Sequence, residues 1–175
     1  MTRHLYPLWR DTRGAAAAEM VLVLPLLTVL LFGSFELGNY FRQEHQVVSQ
    51  VRDGARFASR LPLAADYDCD GNVFEDPDAE TKIVNVTRTG RVDGSGEAPF
   101  PADIAACGSA TASVIVENRC VDQAAYGGIY TGLDGDIPVV KVTAQMQYQS
   151  LFGTLGFTSS GLCLRATSEV PVAGL

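Results

Sequence analysis

Histidine is scarce in this sequence, and its scarcity narrows the chemistry that the chain can perform. Both histidines, His4 and His45, lie near the N-terminal end, and no C-x-x-C pair accompanies them, so the spacing typical of a zinc site is missing. Beyond residue 61 the chain contains no histidine and no G-x-S-x-G nucleophile elbow. General acid–base and nucleophilic catalysis usually depend on such groups. We therefore do not predict an enzyme.

The sequence also lacks a basic patch. It carries 13 basic and 20 acidic residues, for a formal net charge of −7. Arg3, Arg10 and Arg13 lie within residues 1–14 beside a single acid, Asp11, so the remainder has 10 basic and 19 acidic residues and a balance of −9. A domain that binds nucleic acid normally presents clustered Lys and Arg. The charge pattern therefore indicates that nucleic acid is not a partner.

Cysteine is limited to four residues, which all lie beyond the apolar run at the start of the chain: Cys69, Cys107, Cys120 and Cys163. An even number of cysteines favours disulfides formed in an oxidising compartment; the alternative is four small, buried apolar side chains. Four cysteines allow three pairings. An extended segment over residues 111–118 would hold Cys107 and Cys120 too far apart for a bridge, which disfavours one pairing. The other two pairings stay open.

What the sequence does contain is a long apolar segment near its N-terminus. Over residues 15–35 a helix spans about 30 Å, the thickness of the hydrocarbon core of a bilayer. Arginines precede this segment and acids follow it, so the positive-inside bias places residues 1–14 in the cytoplasm and the C-terminal part outside it. A secretory signal peptide is the alternative. Its apolar core is shorter and ends at a small-x-small cleavage site, for which Gly33-Ser34-Phe35-Glu36-Leu37 is a poor match.

A single carboxylate interrupts the start of this segment. Glu19 would cost on the order of 2 to 3 kcal/mol near the centre of a membrane and somewhat less near its edge. One explanation is a boundary residue that reaches the headgroups. The other needs Gly14: a cut after this glycine gives Ala15 a free ammonium, and Glu19 lies one helical turn away as its partner, in the same chain or a neighbouring one. We predict a processing site formed by Gly14, Ala15 and Glu19.

Several short motifs follow one another at the start of the chain. They are Arg13-Gly14-Ala15-Ala16-Ala17-Ala18-Glu19-Met20, Leu24-Pro25-Leu26-Leu27, Phe32-Gly33-Ser34-Phe35-Glu36-Leu37-Gly38 and Val51-Arg52-Asp53-Gly54-Ala55-Arg56-Phe57-Ala58. Together and in this order they resemble the TadE-like pseudopilins of bacterial tight-adherence pili, which carry a leader of the type IV prepilin class. The resemblance covers residues 13–60.

This resemblance implies cleavage after Gly14 by a prepilin peptidase and a minor-pilin role in pilus assembly. The implied partners are the peptidase, other pilin or pseudopilin subunits, the assembly machinery and membrane lipid. The implied location is the bacterial inner membrane, crossed once, with the C-terminal domain outside the cytoplasm and later incorporation into a pilus. The alternative function is an uncleaved, membrane-anchored binding module stabilised by disulfides, with or without calcium.

The helix is predicted to continue beyond the membrane. After Glu36 apolar residues recur at helical spacing opposite charged ones, and the pattern ends near Leu61-Pro62. The predicted organisation is a leader over residues 1–14, a membrane-spanning and then amphipathic helix over 15–61, and an exported domain over 62–175. Pro25 is expected to kink the membrane segment.

Four segments of the exported domain are predicted to be strands: residues 82–87, 112–118, 140–149 and 162–172. In the third, apolar side chains alternate with polar ones, and in the fourth the apolar positions begin at Leu162. Such alternation indicates a sheet with one polar and one apolar face. The predicted fold is α+β, an antiparallel sheet of about four strands whose apolar face is covered by the amphipathic half of the long helix. The apolar members of the third strand are Val140, Val142, Ala144, Met146 and Tyr148.

An acidic segment precedes the first predicted strand. Acids alternate over residues 66–70 and Gly71 follows, which matches the first two thirds of an EF-hand loop that binds Ca²⁺. The twelfth position, normally an acid, is Pro77, so Asp76 or Asp78 would have to supply the last ligand. The alternative is a solvated acidic turn with a disulfide through it. The hypothetical calcium ligands are Asp66, Asp68, Asp70, Asn72 and Asp76.

An apolar loop, Leu151-Phe152-Gly153-Thr154-Leu155-Gly156-Phe157, lies at the tip of the hairpin predicted between the third and fourth strands. Either it folds over the end of the sheet or it forms a contact surface for another subunit.

Overall fold

The structure, a computed structural model of the chain, describes residues 14–62, 67–69, 73–96, 107, 114–122, 136–153 and 161–173. It divides into two compact units, residues 1–39 and 40–175. One helix, α1 (Ala15–Ala58), begins in the first unit and ends in the second.

The described part of the first unit, from residue 14 onward, is almost entirely the N-terminal part of α1. Alanine and leucine favour a helix, and the helix passes through Pro25. Thr28 Oγ1 donates to the Leu24 carbonyl oxygen at 2.7 Å, which satisfies a hydroxyl that would otherwise be costly in lipid. The large apolar side chains of this part of α1 are exposed. Within the described part of the chain, α1 is the one helix long and apolar enough to cross a membrane.

The second unit combines helices with two small sheets. After α1 come β1 (Tyr67–Asp68), β2 (Val73–Phe74), α2 (Pro77–Thr89), β3 (Val114–Val121), β4 (Ile137–Gln147) and β5 (Cys163–Pro171). β1 and β2 pair with each other, and the last three strands form an antiparallel sheet in the order β3–β4–β5. In its register Val116 lies opposite Val142, and Ala144 lies opposite Ala166. The predicted α+β class is confirmed, with three strands rather than four in the main sheet.

The predicted first strand, residues 82–87, is wrong, because these residues lie in α2. The helix has signals at both ends. Asp76 caps its N-terminus by accepting from the Asp78 backbone nitrogen at 2.9 Å, with Pro77 in the first turn. Gly90 ends it in the left-handed conformation, with φ of 72°. The buried residues of α2 recur at helical spacing: Ala79, Ile83, Val86 and Thr87.

The core of the second unit lies between α1 and the apolar face of the sheet. Four residues of α1 belong to one buried cluster with the inward-facing residues of β4: Val47, Val51, Ala55 and Ala58. Each large side chain buried in this way stabilises the fold by about 1.5 to 3 kcal/mol. The alternation predicted for β4 is confirmed, since all five of its predicted apolar residues are buried.

Two positions depart from the predicted faces of the sheet. Thr143 was expected on the polar face but is buried, and its hydroxyl lies 3.1 Å from that of Thr167 on β5. Leu162 was expected in the core but is 45% exposed, because it lies beyond the end of β5, where the described sheet no longer covers it.

Two disulfides tie the connecting segments to the sheet. Cys69, which follows β1, is bonded to Cys120 in β3, with 5.5 Å between the Cα atoms, and Cys107 is bonded to Cys163 in β5, with 5.7 Å. The disfavoured pairing of Cys107 with Cys120 is not formed. The bonded cysteines are 51 and 56 residues apart in the sequence. In the chain-entropy account, a disulfide that closes a loop of this length lowers the entropy of the unfolded chain. Each of the two thereby stabilises the folded state by about 4 kcal/mol.

Candidate functional site

The predicted processing residues lie at the beginning of α1. Gly14 immediately precedes the helix, Ala15 is its first residue and Glu19 follows one turn later; all three are exposed. Four residues of helix rise about 6 Å, so an ammonium on residue 15 would be within reach of a carboxylate on residue 19. The leader before Gly14 lies outside the described residues.

Gly14 has no packing role among the residues that the structure describes. A Cβ added there would meet no other heavy atom within 4 Å, and its backbone is not left-handed. Two other glycines differ. Gly90 ends α2 with a positive φ, and Gly54 packs against Thr87. The described fold therefore gives no reason for glycine at position 14.

Residues 51–58, one of the motifs that carry the family resemblance, form a packing surface. At Gly54 α1 crosses α2 so closely that an added Cβ would overlap Thr87 Oγ1 and lie 3.0 Å from Thr87 Cβ. Thr87 is fully buried, and its Oγ1 donates to the Ile83 carbonyl oxygen at 2.8 Å. The local signal for this crossing was a glycine within an amphipathic helix. The buried members of the motif are Val51, Gly54, Ala55 and Ala58, and the exposed ones are Arg52, Asp53 and Arg56.

Gln43 joins α1 to the segment just beyond β4. Its Nε2 donates to the Gln149 carbonyl oxygen at 2.8 Å, and its Oε1 accepts from the Gln149 backbone nitrogen at 3.1 Å. The side-chain amide thus takes the place of a peptide group on a neighbouring strand and satisfies both backbone groups. Beside it the rings of Tyr40 and Tyr148 are 5.6 Å apart. No local pattern could reveal this contact, because its two residues are 106 positions apart.

The predicted calcium ligands are described only in part. Asp66, Asp70, Asn72 and the side chain of Asp68 lie outside the described residues. Asp76 caps α2 with one oxygen, and its Oδ2 lies 2.8 Å from the Nζ of Lys82. In the ranges that the structure describes, no three His, Cys, Asp or Glu side chains are grouped to hold a metal. Calcium binding stays a hypothesis. It would require the Asp76 carboxylate to leave the Lys82 ammonium and bind the ion instead.

A helix long and apolar enough to cross a membrane continues into a disulfide-bonded α+β unit, which is compatible with a single-pass membrane anchor. A family model described as TadE-like protein matches residues 14–56, from the predicted processing site to the α1–α2 crossing. The predicted resemblance to the TadE-like proteins of tight-adherence pili is confirmed for this segment. The TadE-like family is one of structural proteins rather than enzymes. Comparison with curated proteins and with solved structures gives no match.

Proposed function

We propose that this chain is a minor pilin or pseudopilin that a prepilin peptidase cleaves after Gly14 and that then takes part in the assembly of a type IV-like, tight-adherence pilus. The main support for this proposal is the environment of Gly14. For this exposed glycine neither the backbone nor packing against the described residues gives a reason, and it precedes a membrane-capable helix at the first residue of the TadE-like match. Glycine permits close approach to the backbone, which an enzyme that cuts beside it requires.

Glu19 gains a partner through this cleavage. In a bilayer its carboxylate costs about 2 to 3 kcal/mol without a partner. The new ammonium of Ala15 offsets this cost, because two opposite charges attract more strongly in a medium of low dielectric constant than in water. If the ammonium belongs to a neighbouring subunit, the pair favours helices packed side by side over helices isolated in lipid.

The first unit offers the surface for such packing. Its large apolar side chains are exposed, and a Cβ added at Gly33 or Gly38 would meet no other described residue within 4 Å. Ser34 and Gly38, one turn apart, permit a neighbouring helix to approach closely. The proposed partners are the prepilin peptidase, other pilin subunits, the assembly machinery and membrane lipid. The proposed location is the inner membrane, with the second unit outside the cytoplasm.

The N-terminus of the mature protein tests the proposal. We expect intact mass and N-terminal sequencing to find Ala15 first in cells with the prepilin peptidase and Met1 first in cells without it. Gly14→Val should block the cut. Gly33→Val makes the same change at another glycine with open surroundings and should be processed normally. A Met1 start in both strains would contradict the proposal and favour the uncleaved, anchored binding module.

A second experiment separates assembly from processing. Glu19→Val removes a charge that lipid disfavours, so we expect normal insertion and cleavage but fewer pili. Met20→Val, at the neighbouring exposed position, is the matched control and should assemble normally. Equal pilus counts for wild type and Glu19→Val would refute the role assigned to this carboxylate.

A further inference from the structure

Among the described residues of the second unit, three large apolar side chains are exposed near the end of β4. Phe41, Leu151 and Leu162 are 49%, 55% and 45% exposed. Buried Tyr148 lies three residues before Leu151 and donates its backbone N–H to the Leu162 carbonyl oxygen at 2.9 Å. Tyr40 joins Phe41 to this group, with its ring 5.7 Å from that of Phe41 and 5.6 Å from that of Tyr148. Phe41, Leu151 and Leu162 are hereafter called the hairpin-end patch.

This patch lies where the chain enters the second unit. Tyr40 is the first residue of that unit, and the bonds between Gln43 and Gln149 hold this part of α1 at the end of the sheet where β4 turns toward β5. Five residues separate Phe35, the end of the apolar segment, from Phe41. A chain of six residues spans at most about 22 Å, and the polar layer of a bilayer adds about 5 to 8 Å on each side of the hydrocarbon. A membrane that holds the apolar segment is therefore close to the patch.

The acidic residues of the sheet, Glu117 and Glu169, lie beside Lys141, the fifth residue of β4, and so away from the end where β4 turns toward β5. Glu117 pairs with Lys141 at 2.6 Å, and Glu169 pairs with Arg119 at 3.3 Å. Lys141 precedes Tyr148 by seven residues, or about 23 Å of strand. Residues 142–153 and 161–168 contain no carboxylate side chain. On the sheet side the patch thus has no carboxylate, whereas α1 places one residue of each sign, Arg42 and Glu44, close to Phe41. This end of the unit is therefore close to neutral, so anionic headgroups repel it less than the acidic balance of the whole chain would suggest.

We propose that the hairpin-end patch rests on the surface of the lipid bilayer in which α1 is anchored, and so holds the second unit against the membrane before the subunit is assembled. Lipid fits better than a second copy of the chain, because the anchor alone places lipid within reach and because the carboxylates of the sheet lie away from this end. The inference rests on the membrane anchor of the proposed function but not on cleavage at Gly14.

Tryptophan fluorescence of the full chain in nanodiscs tests this contact. Trp9 is the single tryptophan, so Trp9→Phe provides a silent background. Leu151→Trp and Leu162→Trp then report on the patch independently, in phosphatidylcholine and phosphatidylglycerol with or without brominated acyl chains. Val92→Trp is the matched control, since Val92 is 46% exposed and follows α2. The helix α2 crosses α1 at Gly54, thirteen residues or about 20 Å of helix beyond Phe41.

A further reporter, Leu30→Trp, monitors insertion of the apolar segment. Residues bound at an interface lie about 5 to 10 Å into the boundary between headgroups and acyl chains, so we expect brominated lipid to remove about half of the emission at positions 151 and 162. Emission at position 92 should not change. Blue-shifted but unquenched emission at the patch would show that protein covers it and would overturn the proposal. Quenching no greater than at position 92 would also overturn it. Unquenched emission at position 30 would reject the membrane anchor, and the proposal with it.

Discussion

Replacing Gly54 with alanine has two opposing effects on the stability of the second unit. In the interior of a helix this change favours folding by about 1 kcal/mol, because glycine is the poorer helix former. Here the new methyl carbon would overlap Thr87 Oγ1 and lie 3.0 Å from Thr87 Cβ and 3.4 Å from its Cα. Thr87 has little freedom to move, since it is fully buried and bonded to the Ile83 carbonyl. Overpacking costs about 1 to 3 kcal/mol, so we expect a net destabilisation of about 1 kcal/mol.

A second substitution isolates the contact. Thr87→Ala removes Oγ1 and makes room for the new methyl group, so Gly54→Ala should be less harmful, or stabilising, in that background. We expect the two substitutions to be coupled by about 1 to 2 kcal/mol, as is usual for residues in direct contact. Gly38→Ala makes the same change in the same helix with nothing within 4 Å, and it should not destabilise the protein.

Thermal unfolding of the full chain in detergent, followed by near-UV circular dichroism, measures these effects. For a unit of this size a loss of 1 kcal/mol lowers the Tm by roughly 3 to 5 °C. A higher Tm for Gly54→Ala alone, or additive effects in the double variant, would refute the close crossing of α1 and α2.

Three further predictions concern the second unit. Gln43→Ala removes both hydrogen bonds to the Gln149 backbone, each of which contributes about 0.5 to 1.5 kcal/mol, and should cost about 1 to 3 kcal/mol in urea unfolding; a loss as small as that of an ordinary surface substitution would contradict the contact. Asp76→Ala should cost about 1 to 2 kcal/mol, whereas Asp76→Asn keeps the helix cap and should recover most of it; equal losses would assign the effect to the ion pair with Lys82 instead. The calcium hypothesis predicts a Tm that falls when a chelator is added and a smaller fall in Asp70→Asn; an unchanged Tm in the wild type would reject it.

Local patterns in the sequence were sufficient for the elements that depend on length or on a single period. The apolar segment over residues 15–35 is long enough to cross a bilayer in any context, and the structure shows it as part of α1. The alternation in β4 determines which of its side chains point inward, because successive residues of a strand face opposite sides. The burial of Val140, Val142 and Ala144 follows from that rule.

The sequence was misleading where two local signals compete. Residues 82–87 alternate well enough to suggest a strand. The stronger signals lie outside the segment: Asp76 and Pro77 start a helix, and Gly90 ends it. The caps favour a helix over a strand because they satisfy the backbone groups at the helix ends. In a strand these groups would have to pair with a neighbouring strand.

Contacts between residues far apart in the chain needed the folded molecule. The disulfide partners, the crossing at Gly54 and the amide of Gln43 on Gln149 all join positions that no local period relates. Their geometry arises when α1, α2 and the sheet pack around one core, since only then do the distant groups come within bonding distance. The sequence alone thus indicates whether a segment spans a membrane or which of its faces is buried. Which distant segment it contacts is determined only when the chain packs.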